Sequence, residues 1–129
     1  TFIYPNELQK SALHIAVEKE NLEIVEILLN CKNVDVNLYM NQNSTERYGL
    51  KERKTALYMA VEQENIDLVR LLCSNENINI DIRYCSTKDD LIQSIPPTVF
   101  TIYEKTPLQL AADIKNKKIY QFLLSKKII

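Results

Sequence analysis

The segment Lys10-Ser11-Ala12-Leu13-His14-Ile15-Ala16-Val17-Glu18-Lys19-Glu20-Asn21-Leu22-Glu23-Ile24-Val25-Glu26-Ile27-Leu28-Leu29 returns almost position for position as Lys54-Thr55-Ala56-Leu57-Tyr58-Met59-Ala60-Val61-Glu62-Gln63-Glu64-Asn65-Ile66-Asp67-Leu68-Val69-Arg70-Leu71-Leu72. A looser third copy runs from Lys105-Thr106-Pro107-Leu108-Gln109-Leu110-Ala111-Ala112 through Asn116 to Ile119-Tyr120-Gln121-Phe122-Leu123-Leu124. Each copy opens on a hydroxyl residue, Ser11, Thr55 or Thr106. A hydroxyl oxygen there accepts from the free amides of a first helical turn, and Pro107 in the next position suits the same helix start. Leu13, Ala16 and Val17 then share one helical face, as do Leu57, Ala60 and Val61, and Leu108, Ala111 and Ala112. The small residues Ala16, Ala60 and Ala111 let neighbouring helices approach closely.

Asn21, Asn65 and Asn116 fall in one register between the two helices of each copy. Asparagine tolerates left-handed dihedrals and caps helices well, so the pattern predicts that it both ends one helix and starts the next. Glu23 and Asp67 then lie near a positive helix end. A second helix follows from the stripes Leu22, Val25, Leu28, Leu29 and Ile66, Val69, Leu71, Leu72, which read as core. A helix-turn-helix unit repeated in this way stacks into a solenoid.

The hydroxyl-led helices match the T-P-L-H-x-A signature of ankyrin repeats at Ser11-Ala12-Leu13-His14-Ile15-Ala16, Thr55-Ala56-Leu57-Tyr58-Met59-Ala60 and Thr106-Pro107-Leu108-Gln109-Leu110-Ala111. Val34-Asp35-Val36-Asn37 is similar to the family's exit from its second helix. The chain thus resembles an ankyrin-repeat protein, in composition one of protist type. The resemblance implies an all-α repeat solenoid of three helical pairs joined by β-hairpin fingers. By the same resemblance His14 is structural, bonding back to the first-turn hydroxyl and to the neighbouring repeat, whereas Tyr58 and Gln109 must replace that network differently. The family's turn glycine is absent: Glu20, Glu64 and Lys115 occupy its place, so the left-handed turn is expected to pass to the following Asn. Lys117, where the other copies have Leu22 and Ile66, suits an end repeat with one face in water.

Ser11 and Thr55 lie 44 positions apart, and Thr55 and Thr106 lie 51 apart. Against a family period of roughly 33, about eleven and eighteen residues are added. Because the helices align without gaps, the additions fall in the fingers. The implied order is a return strand of an upstream finger at 1–10, repeat 1 at 11–37, a long finger at 38–54, repeat 2 at 55–81, a second long finger at 82–105 and repeat 3 at 106–129. In the first finger Val34 to Met40 goes out, Asn41-Gln42-Asn43-Ser44-Thr45 turns, and Tyr48-Gly49-Leu50 comes back, with Gly49 at a bulge or left-handed position. In the second, Ile78, Ile80, Ile82 and Tyr84 alternate with polar residues as a strand does, and Thr98 to Tyr103 returns. Lys88-Asp89-Asp90 is then expected near the tip, and Pro96-Pro97 stiffens the return.

The aromatic and apolar finger residues Tyr39, Met40, Tyr48, Tyr84, Phe100 and Tyr103 have two uses open to them, as exposed partner anchors or as packing of finger on finger. The family usually binds through finger tips and the concave face of the first helices, which adds Glu18, Lys19, Glu62, Gln63, Asp113 and Ile114 to the candidate surface.

Charge and composition limit other functions. The net charge is −1, which gives no general attraction to nucleic acid or anionic membrane. It is distributed unevenly: residues 1–36 carry six acids and three lysines, and residues 104–129 six lysines and two acids. Lys115, Lys117, Lys118, Lys126 and Lys127 lack interleaved stacking aromatics beyond Tyr120, so a nucleic-acid function is disfavoured. There is no GxSxG, glycine-rich phosphate loop, HExxH or paired Cys motif, and Asp89-Asp90 reads as solvated charge. No catalytic residue, cofactor site or metal site is expected. Cys31, Cys73 and Cys85 form no paired framework and suit a reducing cytosol. The expectation is a non-catalytic, monomeric fragment of a larger protein that binds a protein partner without membrane insertion. A regulatory segment within a larger membrane channel or signalling enzyme is the alternative.

Overall fold

A computed structural model describes residues 10–43, 50–90 and 98–127. The expectations for residues 1–9, Ser44-Thr45, Tyr48, Gly49 and Pro96-Pro97, and for the side chain of Phe100, lie outside the described residues. The elements run α1 (Ala12–Glu18), α2 (Leu22–Leu29), β1 (Met40–Asn43), β2 (Leu50–Lys54), α3 (Ala56–Glu62), α4 (Ile66–Cys73), β3 (Tyr84–Asp90), β4 (Thr98–Lys105), α5 (Pro107–Asp113) and α6 (Lys117–Lys127). The helices pair as α1/α2, α3/α4 and α5/α6. The first helices stack in one row and the second helices in another, giving a three-unit solenoid.

The first five helices are seven or eight residues long. Isolated helices that short do not persist in water, so caps and stacking must hold them. Ser11, Thr55 and Thr106 each accept from the amide three residues on, at His14, Tyr58 and Gln109. Gln109 also closes a capping box, its Oε1 accepting from the Thr106 amide at 2.9 Å. Stacking then buries Leu57, Leu68, Leu72, Ile119 and Leu123 almost completely. Each contributes about 1.5–3 kcal/mol relative to exposure.

The inter-helix turn differs from expectation. Among the described residues, the non-glycine residues with positive φ are Glu20 (55°), Glu64 (55°) and Lys115 (61°), not the asparagines. Asn21 and Asn65 have extended dihedrals, and the side chains of Asn21, Asn65 and Asn116 accept from the Ile24, Leu68 and Ile119 amides as N-caps. A non-glycine residue in the left-handed region costs about 1–2 kcal/mol. Part of that cost is offset laterally: Asn65 Nδ2 donates to Glu20 Oε1 at 2.9 Å, and Asn116 Nδ2 donates to Glu64 Oε1 at 3.2 Å. Asn65 and Asn116 thus each cap their own second helix and hold the turn of the preceding repeat.

The added residues do form the fingers, and the four strands make one antiparallel sheet in the order β1-β2-β3-β4. The strands begin later than the alternation suggested. Val34 to Tyr39 and Ile78 to Arg83 are turns rather than strands, built on Asp35, Asn75 and Asn79 side chains that accept from amides two residues on. The alternation arises because Ile78 and Ile80 pack on the core from a turn. Asn41 to Asn43, expected to turn, lie in β1, while Lys88-Asp89-Asp90 are β3 residues paired with Phe100, Val99 and Thr98. The two fingers join through Leu50 to Arg53 against Lys88 to Cys85.

His14 ties the first unit to its finger. It is 1% exposed. Its Nδ1 accepts from the Ser11 amide at 3.2 Å and lies 2.7 Å from the Ser11 hydroxyl. The proton is therefore on Nε2, which donates to the Leu38 carbonyl at 3.0 Å. Burial lowers its pKa below 6.5, outweighing the opposite pull of the Leu38 carbonyl. Below that value the unfolded chain takes up the proton before the folded one, so His14 stabilises the fold above its unfolded pKa. That contribution is lost as pH falls through the folded value. Denaturant unfolding at about pH 7 and about pH 5.5 is expected to show a stability loss that is smaller in His14→Gln than in the wild type. Equal losses would contradict the assignment.

Candidate functional site

The sheet meets the first-helix row along a run of three tyrosines. Tyr58 of α3 stacks on Tyr84 of β3 with ring centroids 4.9 Å apart, and Tyr84 meets Tyr103 of β4 edge to face at 5.9 Å. Tyr58 occupies the position that His14 holds in the first unit, so the histidine's bonding is replaced by ring stacking. Such pairs contribute about 0.5–1.5 kcal/mol beyond area burial. Tyr58 is almost fully buried, Tyr84 is half-buried and Tyr103 is 43% exposed, so the run leads from core to solvent. Lys54 Nζ lies 5.8 Å from the Tyr84 ring centre and Lys105 Nζ lies 5.0 Å from that of Tyr103. Burial pushes the Tyr58 phenol well above its usual range and the Tyr84 phenol up to about 12, so both are neutral hydrogen-bonding groups at physiological pH.

The same two lysines carry a second regularity. Lys10 pairs with Glu18 at 2.8 Å, Lys54 with Glu62 at 3.1 Å, and Lys105 with Asp113. Each lysine directly precedes the hydroxyl cap of a first helix, and each acid sits at that helix's end. Partly exposed pairs of this kind contribute at most about 1 kcal/mol each, so their repetition orders charge along the surface more than it stabilises the fold.

The candidate residues divide clearly. Glu18, Glu62 and Asp113 form the acidic side of these rungs, and Lys19 is exposed beside them. Tyr103 is exposed. Tyr39 is half-buried and donates its hydroxyl to the Arg83 carbonyl at 2.8 Å, and Tyr84 is stacked between two rings, so both pack one finger against another element. Met40 is corrected outright: it is 3% exposed and belongs to the core, because β1 begins where the chain is still pressed against the helices. Gln63 is a junction residue, its Nε2 donating to the Val17 and Glu18 carbonyls at 3.0 and 3.2 Å, while its Oε1 is buried without a partner. Ile114 is half-buried against the core.

Sequence reasoning missed Lys10, Lys54 and Lys105 as parts of the charged rungs and Tyr58 as the buried base of the tyrosine run. The lysines were visible as the first residue of every copy, eight positions ahead of an acid. Tyr58 gave no local signal, since its partner is 26 positions away.

Among the described residues, no cluster of three or more His, Cys, Asp or Glu side chains could hold a metal ion, and no helix is long and apolar enough to cross a membrane. The ankyrin repeats (3 copies) family matches residues 2–84 and 38–129. The chain belongs to the ankyrin-repeat family. A comparison with curated proteins returns no match. Ankyrin repeats are generally protein-protein interaction modules and typically non-catalytic.

Tyr84 and Tyr103 should separate packing from exposure. Tyr84→Ala is expected to cost about 2–4 kcal/mol in denaturant unfolding, and Tyr103→Ala less than about 1 kcal/mol. Similar losses would place Tyr103 in the core instead.

Proposed function

We propose that the chain recognises a protein partner along the junction of sheet and first-helix row, with Tyr103 as the central anchor and Lys19, Glu62, Lys105 and Asp113 as its charged surround. The observation that carries this reading is the tyrosine run: a buried ring and a half-buried ring hold a third that is 43% exposed. A ring so supported loses little freedom when a partner covers it, which is the condition for a binding hot spot. The paired charges beside it favour a partner with alternating charge and an aromatic or aliphatic side chain to lay on Tyr103. The remaining edge of β4 and the concave face of the first helices supply the surrounding contact area. Three free thiols, at Cys31, Cys73 and Cys85, fit work in a reducing compartment such as the cytosol.

Affinity capture followed by titration of the isolated partner tests the proposal. Tyr103→Ala is expected to weaken binding by at least about tenfold, and Glu62→Lys, which turns the Lys54 rung into a like-charge pair, by about threefold, each with a stability loss below about 1 kcal/mol. Undiminished affinity of Tyr103→Ala would refute this site.

A further inference from the structure

The two internal junctions of the second-helix row are built from corresponding positions, yet they differ in chemistry. At the first, between α2 and α4, those positions hold Glu26, Leu71 and Asn75, and Asn75 Nδ2 donates to the Leu29 carbonyl at 3.4 Å. At the second, between α4 and α6, they hold Arg70, Phe122 and Lys126. The Arg70 guanidinium carbon lies 5.9 Å from the centre of the half-buried Phe122 ring, and Lys126 Nζ lies 5.5 Å from it. An apolar contact closed by one hydrogen bond is replaced by an aromatic ring that holds two cations.

Two like charges on one ring repel each other, which works against the ring's attraction for either. Both cations are exposed, and among the described residues no acid pairs with them, whereas the adjoining Lys127 pairs with Asp81 at 3.3 Å. Each lies in the last turn of its helix, where a cation is favoured. That preference accounts for one cation at each helix end, not for a ring that joins the two across a junction. Lys126 leans back over the end of α4: burial pushes the buried Cys73 thiol up to about 11, and the opposing pull on it comes from Lys126. The pair therefore belongs to the junction between the second and third units.

The surrounding charge sets the sign and the size of a ligand. α6 carries Lys117, Lys118, Lys126 and Lys127 and no acid. The same row is acidic on α2, where Glu23 and Glu26 are exposed, and exposed Asp67 and Glu76 flank Arg70 along the chain. A membrane surface or a nucleic-acid duplex, being an extended polyanion, would meet those carboxylates as well as the lysines. A short acidic segment over the ends of α4 and α6 meets the cations without covering α2. A guanidinium takes a carboxylate through two parallel hydrogen bonds, and the ammonium takes a second carboxylate. The half-buried ring that both cations share offers apolar contact to a side chain between the two acids.

We propose that the second-helix row binds a short acidic peptide segment at the α4/α6 junction, Arg70 and Lys126 receiving its carboxylates and Phe122 its apolar side chain. This surface lies on the second helices and is separate from the partner surface at Tyr103.

Fluorescence anisotropy of a short labelled peptide, with glutamates on both sides of a leucine, tests it. The same peptide with lysines in place of the glutamates is the control. The acidic peptide is expected to bind the wild-type chain and the lysine version is not. Arg70→Glu and Lys126→Glu should each weaken binding of the acidic peptide by at least about tenfold. Lys115→Glu, the same charge change at the opposite end of α6, should weaken it by less than about threefold, and Tyr103→Ala should leave it unchanged. The three charge-reversed positions are exposed, and unchanged circular dichroism would show that each variant folds. Arg70→Gln and Lys126→Gln repeat the test should a reversal unfold the chain. A wild-type chain that does not bind the acidic peptide would overturn the proposal, as would equal losses at Lys115 and Arg70. Phosphatidylserine vesicles or a DNA duplex bound through Arg70 and Lys126 more tightly than the peptide would overturn it as well.

Discussion

A single carboxamide, used at both ends, governs how this solenoid holds together. In Asn65 and Asn116 the oxygen caps the second helix of its own unit, and the nitrogen donates to the glutamate in the left-handed turn of the unit before. Helices of seven or eight residues have little stability alone, so any bond that fixes one unit's turn while starting the next unit's helix serves local and global order together. It also explains how the chain manages without a turn glycine. Glu20 and Glu64 take up the strained dihedral and are held there from the side.

The fingers depend on that regular stack. Because the first helices are evenly registered, β2 and β3 from different fingers come close enough to pair, and the two hairpins fuse into one sheet. The sheet brings Tyr84 onto Tyr58 and Tyr103 onto Tyr84, and brings Lys54 and Lys105 beside the rings.

Much of this was legible in the sequence because repetition supplies its own alignment. The hydroxyl caps, the alanine row and the location of the added residues followed from spacing, as did the core stripes apart from Leu22, which is 39% exposed. His14 carries the bond to the Ser11 hydroxyl that the family resemblance implied, but its second bond goes to its own finger at Leu38 rather than to the neighbouring repeat. Competition between local options was harder to read. Asparagine suits both the left-handed turn and the cap, but the cap position gives its side chain two bonds, so the strained dihedral falls to glutamate or lysine. Ile78 and Ile80 alternate as a strand would, yet side-chain-accepting turns at Asn75 and Asn79 satisfy the backbone without a sheet partner. Tyr39 and Tyr84 were candidates for exposure, and Met40 with them. Their burial follows from contacts between distant parts of the chain, such as Tyr39 with Arg83, that no local pattern encodes.

The asparagine side chain couples neighbouring units in energy as well as in geometry. A double-mutant cycle on unfolding free energy tests it most directly, using Glu64→Ala and Asn116→Ser, the serine keeping a capping oxygen while removing the donor. A coupling of about 0.5–1 kcal/mol between the two sites is expected. Effects that add to within about 0.3 kcal/mol would contradict it.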